Sequence, residues 1–173
     1  MNKTLFFTLA ALIGFSGAAP AQTSVPINDK PAQVISYVGG PADPAQRFAR
    51  YAGQHPHLLL SEPVLRSLLM LMTGKFFPQL EQNLSTAPPV SVSAAGLVEA
   101  LGCAPHECTY EEAQIVIDPG ATMEGQVHVL ILTEKGKTLL HFSNTPPVGA
   151  MLPDAVRHFV ARHPQAQFVR MQP

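Results

Sequence analysis

The hydrophobic pattern changes its period at Pro89, and this change constrains the fold more than any other feature of the sequence. Before Pro89, apolar residues recur every three or four positions, as on one face of a helix. After it, apolar and polar residues alternate in short segments separated by turn residues, which predicts β-strands. The predicted strands cover residues 90–92, 97–101, 113–118, 127–132 and 138–143. Their short connections predict an antiparallel meander.

Start and stop signals place helices on both sides of this strand region in the sequence. Asp43 followed by Pro44 predicts a capped first helix, and Ser61-Glu62-Pro63 begins a second helix that Gly74 ends. A last helix is expected from Pro153-Asp154 to His163. We therefore expect an α+β domain, with an antiparallel sheet of about five strands and helices packed on one face. Between the second helix and the sheet, residues 76–84 lead to a linker at residues 86–89.

The N-terminal residues have the pattern of a secretory signal peptide. Lys3 precedes an apolar run of about ten residues, and Ala19 and Ala21 form an A-x-A cleavage site. The run is too short to span a bilayer, which needs about 20 apolar residues. We expect a signal peptide over residues 1–21, an extended leader with a short edge strand over residues 22–42, and one domain over residues 43–173. The protein is expected to be periplasmic.

Composition and charge argue against several functional classes. Hydrophobic residues make up 46% and charged residues 13%, and the formal net charge is −1. This balance does not support nucleic-acid binding, which requires a basic surface. Ser61, Ser67 and Ser143 lack the G-x-S-x-G context of a serine hydrolase. We expect a protein that is not an enzyme and needs no cofactor.

One segment between two predicted strands, residues 103–108, has an unusual set of residues. Cys103 and Cys108 are five positions apart and can form a disulfide in an exported protein. So small a ring stabilises the fold by only roughly 2 kcal/mol, so local rigidity is the better reason for it. Pro105 restricts its own backbone and that of Ala104. Such a loop would present the imidazole of His106 in a fixed position.

Two other interpretations of this loop stay open at the level of the sequence. Zinc normally takes four ligands, whereas Cys103, His106 and Cys108 supply three within a very short span. The disulfide could also be a structural staple of a hairpin, with His106 simply exposed. Thiol exchange is not supported, because redox motifs use C-x-x-C spacing.

The loop resembles a motif of a known family. The C-K-P-H-D-C loop of the inhibitor of vertebrate lysozyme (Ivy) family is similar to Cys103-Ala104-Pro105-His106-Glu107-Cys108. The resemblance implies that the loop enters the cleft of a c-type lysozyme, where His106 hydrogen-bonds the two catalytic carboxylates. Ala104 stands where the family has lysine, and Glu107 stands where it has aspartate. Family members are described as homodimers, so self-association is expected as well.

Three alternatives to a lysozyme inhibitor follow from the sequence. The loop could instead regulate the cell's own lytic transglycosylases, whose catalytic acid His106 could engage. His55, His57, His128 and His141 could make the protein an extracytoplasmic metal-binding module. An envelope assembly role would use the apolar stripe Leu65-Leu68-Leu69-Met72 as an interface. Glu111 and Glu112, just after the loop, could form part of a contact rim.

Overall fold

The computed structural model describes residues 44–119, 126–145 and 151–171. The expected signal peptide, the leader and its edge strand at residues 33–38 lie outside these described residues. None of the helices within them has the length and apolar composition of a membrane span.

Proline begins most of the helices in the described part of the chain. The helices are α1 (Pro44–Ala49), α2 (Pro56–Leu60), α3 (Pro63–Thr73), α4 (Phe77–Asn83) and α5 (Asp154–Arg162), with a 3₁₀ turn at Gly74–Phe76. Glu62 caps α3, because its side chain accepts the Leu65 N–H at 2.6 Å. Gly74 ends α3 with φ 51°, a conformation that glycine adopts without steric cost. Both ends of this helix match the prediction.

Within the described residues the sheet has six strands in sequence order: β1 (Ser91–Val92), β2 (Val98–Cys103), β3 (Glu112–Asp118), β4 (Gln126–Thr133), β5 (Thr138–Ser143) and β6 (Gln167–Arg170). Strands β1 to β5 form the predicted antiparallel meander. The sixth strand, β6, was not predicted and runs parallel to β5. It is four residues long, too short to establish an alternating pattern. The α+β class is confirmed.

The two faces of the sheet carry separate apolar clusters, because successive side chains of a strand point to opposite faces. Ile115, Val129 and Phe142 pack with Leu69 of α3 and Leu80 of α4 on one face. On the opposite face, a second cluster places α5 over β3 to β5; its buried members are Val116, Leu130, Leu132, Leu139, Val156 and Phe159. The expectation that all helices share one face is therefore wrong for α5.

Helix α4 lies in a stretch that was expected only to lead into a linker. Its Pro78 occupies the first turn, where a missing N–H is harmless. Asn83 at its end is buried, and its side-chain Nδ2 donates to the Glu112 and Leu132 carbonyl oxygens. These two bonds attach α4 to β3 and β4, and the tertiary contact explains a helix that local pattern did not indicate.

Gly102 allows the segment after α4 to lie directly against β2. A Cβ added at Gly102 would lie 2.8 Å from the Cβ of Ala87 and 3.0 Å from the Thr86 carbonyl oxygen. The close approach lets Thr86 and Cys103 form two backbone hydrogen bonds, of 3.1 and 2.9 Å. Gly102 is therefore needed for space rather than for an unusual backbone angle.

We expect Gly102→Ala to destabilise the protein by about 2 kcal/mol, because the added methyl group overpacks this contact. A thermal melt of the purified protein would show this as a decrease in Tm of several degrees. An unchanged Tm would contradict the close packing of residues 83–87 on β2.

Candidate functional site

The Cys103–Cys108 loop connects β2 to β3 at one end of the sheet. Cys103 is the last residue of β2 and pairs with Glu112, the first residue of β3. A disulfide joins Cys103 to Cys108, whose Cα atoms are 4.7 Å apart. The loop therefore starts from a fixed pair of strand ends and is closed covalently before the chain enters β3.

The base of the loop is buried and hydrogen-bonded. Cys103 and Ala104 are 8% and 2% exposed, respectively. The Ala104 N–H donates to the Glu111 carbonyl at 2.8 Å, and the Glu111 N–H donates to the Glu107 carbonyl at 2.9 Å. The first bond continues the β2–β3 pairing by one residue, and the second closes a turn within the loop. Together they leave the base of the loop little freedom to move.

The tip of the loop is a type II turn. The Glu107 N–H donates to the Ala104 carbonyl at 3.0 Å, with Pro105 and His106 at the two central positions. His106 has φ 67°, and a positive φ at the second central residue distinguishes type II from type I. Pro105 and His106 are both exposed. The turn thus directs solvent-accessible residues away from an anchored base.

The backbone of His106 is strained, because a non-glycine residue with positive φ costs about 1–3 kcal/mol. Glycine or asparagine is the usual residue at this turn position. Among the described residues, Glu134 and Lys135 also have a positive φ, in the turn between β4 and β5. The Pro-His order was visible in the sequence, but the positive φ was not anticipated.

A groove of about 510 Å³ lies beside the loop, between the loop and α4. Ala104 is one of the residues that line it. The residues lining the groove are Lys75, Pro78, Gln79, Gln82, Asn83, Ala104, Pro105, Glu107 and Glu111.

Glu111 and Glu112, which the sequence allows either in a contact rim or at a solvated strand start, face different environments. Glu111 lines the groove, and its Oε2 accepts from Gln79 Nε2 at 2.7 Å. The Glu112 carboxylate lies 3.7 Å from the Arg162 guanidinium and 3.5 Å from His163 Nε2, near α5. Burial lowers the pKa of His163, opposed by the charge of Glu112. Of the two, only Glu111 belongs to the surface next to the loop.

Two histidine pairs are brought together by the fold. The His55 and His57 Nδ1 atoms are 3.0 Å apart, and His128 Nδ1 lies 3.0 Å from His141 Nε2. Over residues 44–119, 126–145 and 151–171, no three His, Cys, Asp or Glu side chains come together as a metal site would require.

The apolar stripe of α3, which was expected as an assembly interface, faces the interior in the same ranges. Its members Leu65, Leu69 and Met72 are buried. The metal and assembly alternatives gain no support from these contacts.

Burial of the His128–His141 pair disfavours its charged forms. Burial lowers the pKa of His128, with a partly opposing effect of Asp118. The pKa of His141 falls to about 4, mainly through burial, with further contributions from His128 and Arg170. His141 also stacks on Phe168 of β6, with ring centroids 5.6 Å apart. The pair is therefore a neutral part of the packing between β4, β5 and β6.

Comparison with known proteins identifies one family. A sequence model described as "Inhibitor of vertebrate lysozyme (Ivy)" matches residues 64–166, more than half of the chain. The match covers α3, α4, β1 to β5, the disulfide loop and α5. No curated protein and no solved structure matches the chain.

We expect the stability of the protein to fall as the pH is lowered from about 6.5 to about 4. In the unfolded chain His141 has its ordinary pKa of 6.5 and gains a proton as the pH falls below it. In the folded protein the same side chain stays neutral until about pH 4. The stabilising effect is fully present above pH 6.5 and amounts to about 3 kcal/mol, since the pKa of His141 falls from 6.5 to about 4. Urea unfolding at several pH values would measure it. His141→Gln should flatten this pH dependence, and an unchanged slope in that variant would contradict the assignment.

Proposed function

This chain belongs to the inhibitor of vertebrate lysozyme (Ivy) family, and we propose that it inhibits a c-type lysozyme by placing the Cys103–Cys108 loop in the enzyme's catalytic cleft. His106 is the residue that contacts the catalytic carboxylates. Cys103, Cys108, Ala104, Pro105 and Glu107 give the loop its shape. The protein acts as a non-enzymatic, extracytoplasmic inhibitor.

The observation that carries this proposal is an exposed imidazole on a rigid support. His106 lies at the tip of a turn, and the residues on the β2 side of that turn, Cys103 and Ala104, are buried. The disulfide and the backbone bonds to Glu111 order the loop before it meets a partner. Little conformational entropy is then lost on binding, and this raises affinity.

The chemistry of the target suits an imidazole. A retaining glycosidase places two carboxyl groups about 5 Å apart around the scissile bond, one as acid and one as nucleophile. An imidazole has two ring nitrogens on opposite sides and can hydrogen-bond two groups at once. A histidine between the carboxyl groups would occupy the substrate's place and disturb their split protonation states. Inhibition then requires occupancy only, and no bond is broken.

The exported form of the chain is part of the proposal. Cleavage after Ala21 removes Lys3, which takes the formal net charge from −1 to about −2. A mildly acidic protein suits a basic lysozyme, although so small a net charge steers the encounter only weakly. The protein that begins at Gln22 is therefore the form to assay.

We expect this mature protein to inhibit cell-wall clearing by a c-type lysozyme, and His106→Ala to weaken inhibition at least about 100-fold. His106→Gly should lose inhibition to the same extent while Tm stays equal or rises, because glycine relieves the positive φ. This pair of variants separates the role of the imidazole from the stability of the turn.

Two results would contradict the proposal. One is a His106→Gly variant that inhibits like the wild type, which would place the binding anchor elsewhere. The other is a wild-type protein that leaves c-type lysozyme fully active. A lytic transglycosylase assayed in parallel would then report whether the same loop serves that class of enzyme.

We expect the double variant Cys103→Ser/Cys108→Ser to bind the enzyme about tenfold more weakly, because an open loop must be ordered on binding. Loss of the small ring should also lower stability by roughly 2 kcal/mol. Isothermal titration calorimetry and a thermal melt measure the two effects separately. Equal affinity of the variant and the wild type would show that the hydrogen bonds alone hold the loop.

A further inference from the structure

We infer that the groove between the loop and α4 receives a basic side chain of the same enzyme, with the Glu111 carboxylate as its main partner. This inference rests on the proposed function, and it adds a second point of recognition beside His106. The occupant is a lysine or arginine at the rim of the enzyme's cleft. Four observations support it: the position of the groove, the way in which Glu111 is held, the charges around it, and the small, uncharged side chain of Ala104.

The groove is continuous with the proposed contact surface. Ala104, Pro105 and Glu107 of the loop form one of its walls, and Pro78 and Gln79 of α4 line the other side. A loop that enters a cleft brings this groove against the rim of the same cleft. The groove therefore meets the enzyme outside its catalytic centre without any change in the orientation of the loop.

Glu111 is held in position before binding. Gln79 Nε2 donates to Glu111 Oε2 at 2.7 Å and to Thr133 Oγ1 at 2.8 Å, so Gln79 connects the carboxylate to β4. The backbone of Glu111 bonds to Ala104 and Glu107, which fixes the residue relative to the loop. A carboxylate that is already oriented binds a cation with little further loss of entropy.

The charges near the groove leave its carboxylates without a basic partner in the described residues. Neither Glu107 nor Glu111 lies within 4.0 Å of a lysine, arginine or histidine nitrogen there. Lys75 also lines the groove, but its Nζ lies over the Phe76 ring, 5.2 Å from the ring centroid.

Four other acidic residues of the described segments do have arginine partners, whereas Glu99 and Glu134 accept hydrogen bonds from Gln114 and Thr138. The arginine pairs are Glu62 with Arg47, Glu81 with Arg66, Glu112 with Arg162 and Asp154 with Arg157. The carboxylates beside the loop are thus free for an incoming cation, whereas these four are already paired.

Ala104, a lining residue of the groove, adds neither a charge nor a long side chain to it. Its side chain ends at the methyl group, and the residue is only 2% exposed. A lysine or arginine has a long aliphatic stem and a terminal donor group, which match a groove lined by proline rings and ending at carboxylates.

The test compares Glu111→Gln with Glu112→Gln in the full mature protein. The two variants lose the same charge at adjacent positions, but Glu112 faces Arg162 and His163 instead of the groove. Titration calorimetry against a c-type lysozyme measures Kd at about 0.05 M and about 0.5 M salt. His106→Ala is included as the test of loop insertion, and a thermal melt of each variant checks folding.

We expect Glu111→Gln to raise Kd about tenfold or more at low salt and to reduce the salt dependence of binding. Glu112→Gln should change Kd by less than about threefold. Glu107→Gln, at an exposed loop position on the same groove, should raise Kd in the same direction as Glu111→Gln. It serves as the second variant if Glu111→Gln does not fold.

The possible results separate the two proposals. If His106→Ala loses binding while Glu111→Gln and Glu107→Gln bind like the wild type, the groove is not a contact and loop insertion stands. An equal effect of Glu111→Gln and Glu112→Gln would also overturn the groove, since only overall charge would then matter. If the wild-type protein does not bind the enzyme, both proposals fail.

Discussion

The pairing of Cys103 with Glu112 at the end of β2 and β3 is the constraint on which the rest of the site depends. It fixes the separation of the strand ends, and the disulfide, the Ala104–Glu111 hydrogen bond and the turn at His106 all begin from that separation. A second support of Cys103, its backbone bonds to Thr86, depends on Gly102, because a side chain at position 102 would push away the segment that contains Thr86. The shape of the loop is therefore set by the two strands from which it projects.

Successive side chains along β3 point to opposite faces of the sheet, so the adjacent residues Glu111 and Glu112 have different surroundings. Glu111 belongs to the face covered by α4, next to the loop, whereas Glu112 turns toward α5 and its basic residues. The same alternation divides the apolar residues of the sheet into two clusters with helices on both sides. A shift of the register by one residue would exchange these roles and move the loop off its support.

Local signals were sufficient for most of the fold and for part of the site. Period-two alternation located β2 to β5, and proline and glycine located the ends of α3. Helices α2 and α4 and strand β6 were not predicted, because all three are short. Tertiary contacts such as those of Asn83 and Phe168 hold α4 and β6 in place. The side on which α5 packs depends on the path of the whole chain. The cysteine spacing indicated a closed loop, but the φ of His106 and the groove beside it depend on atoms from β2, β3 and α4.

The direct connection of the loop to β2 and β3 has a mechanical consequence. In the proposed complex, the walls of the cleft push the loop back toward the sheet. The loop is continuous there with the antiparallel strands β2 and β3. Strand β3 is bonded to a neighbour on each side, so a load on the turn is shared among backbone hydrogen bonds across the sheet. The loop therefore resists compression, although it is only a few residues long.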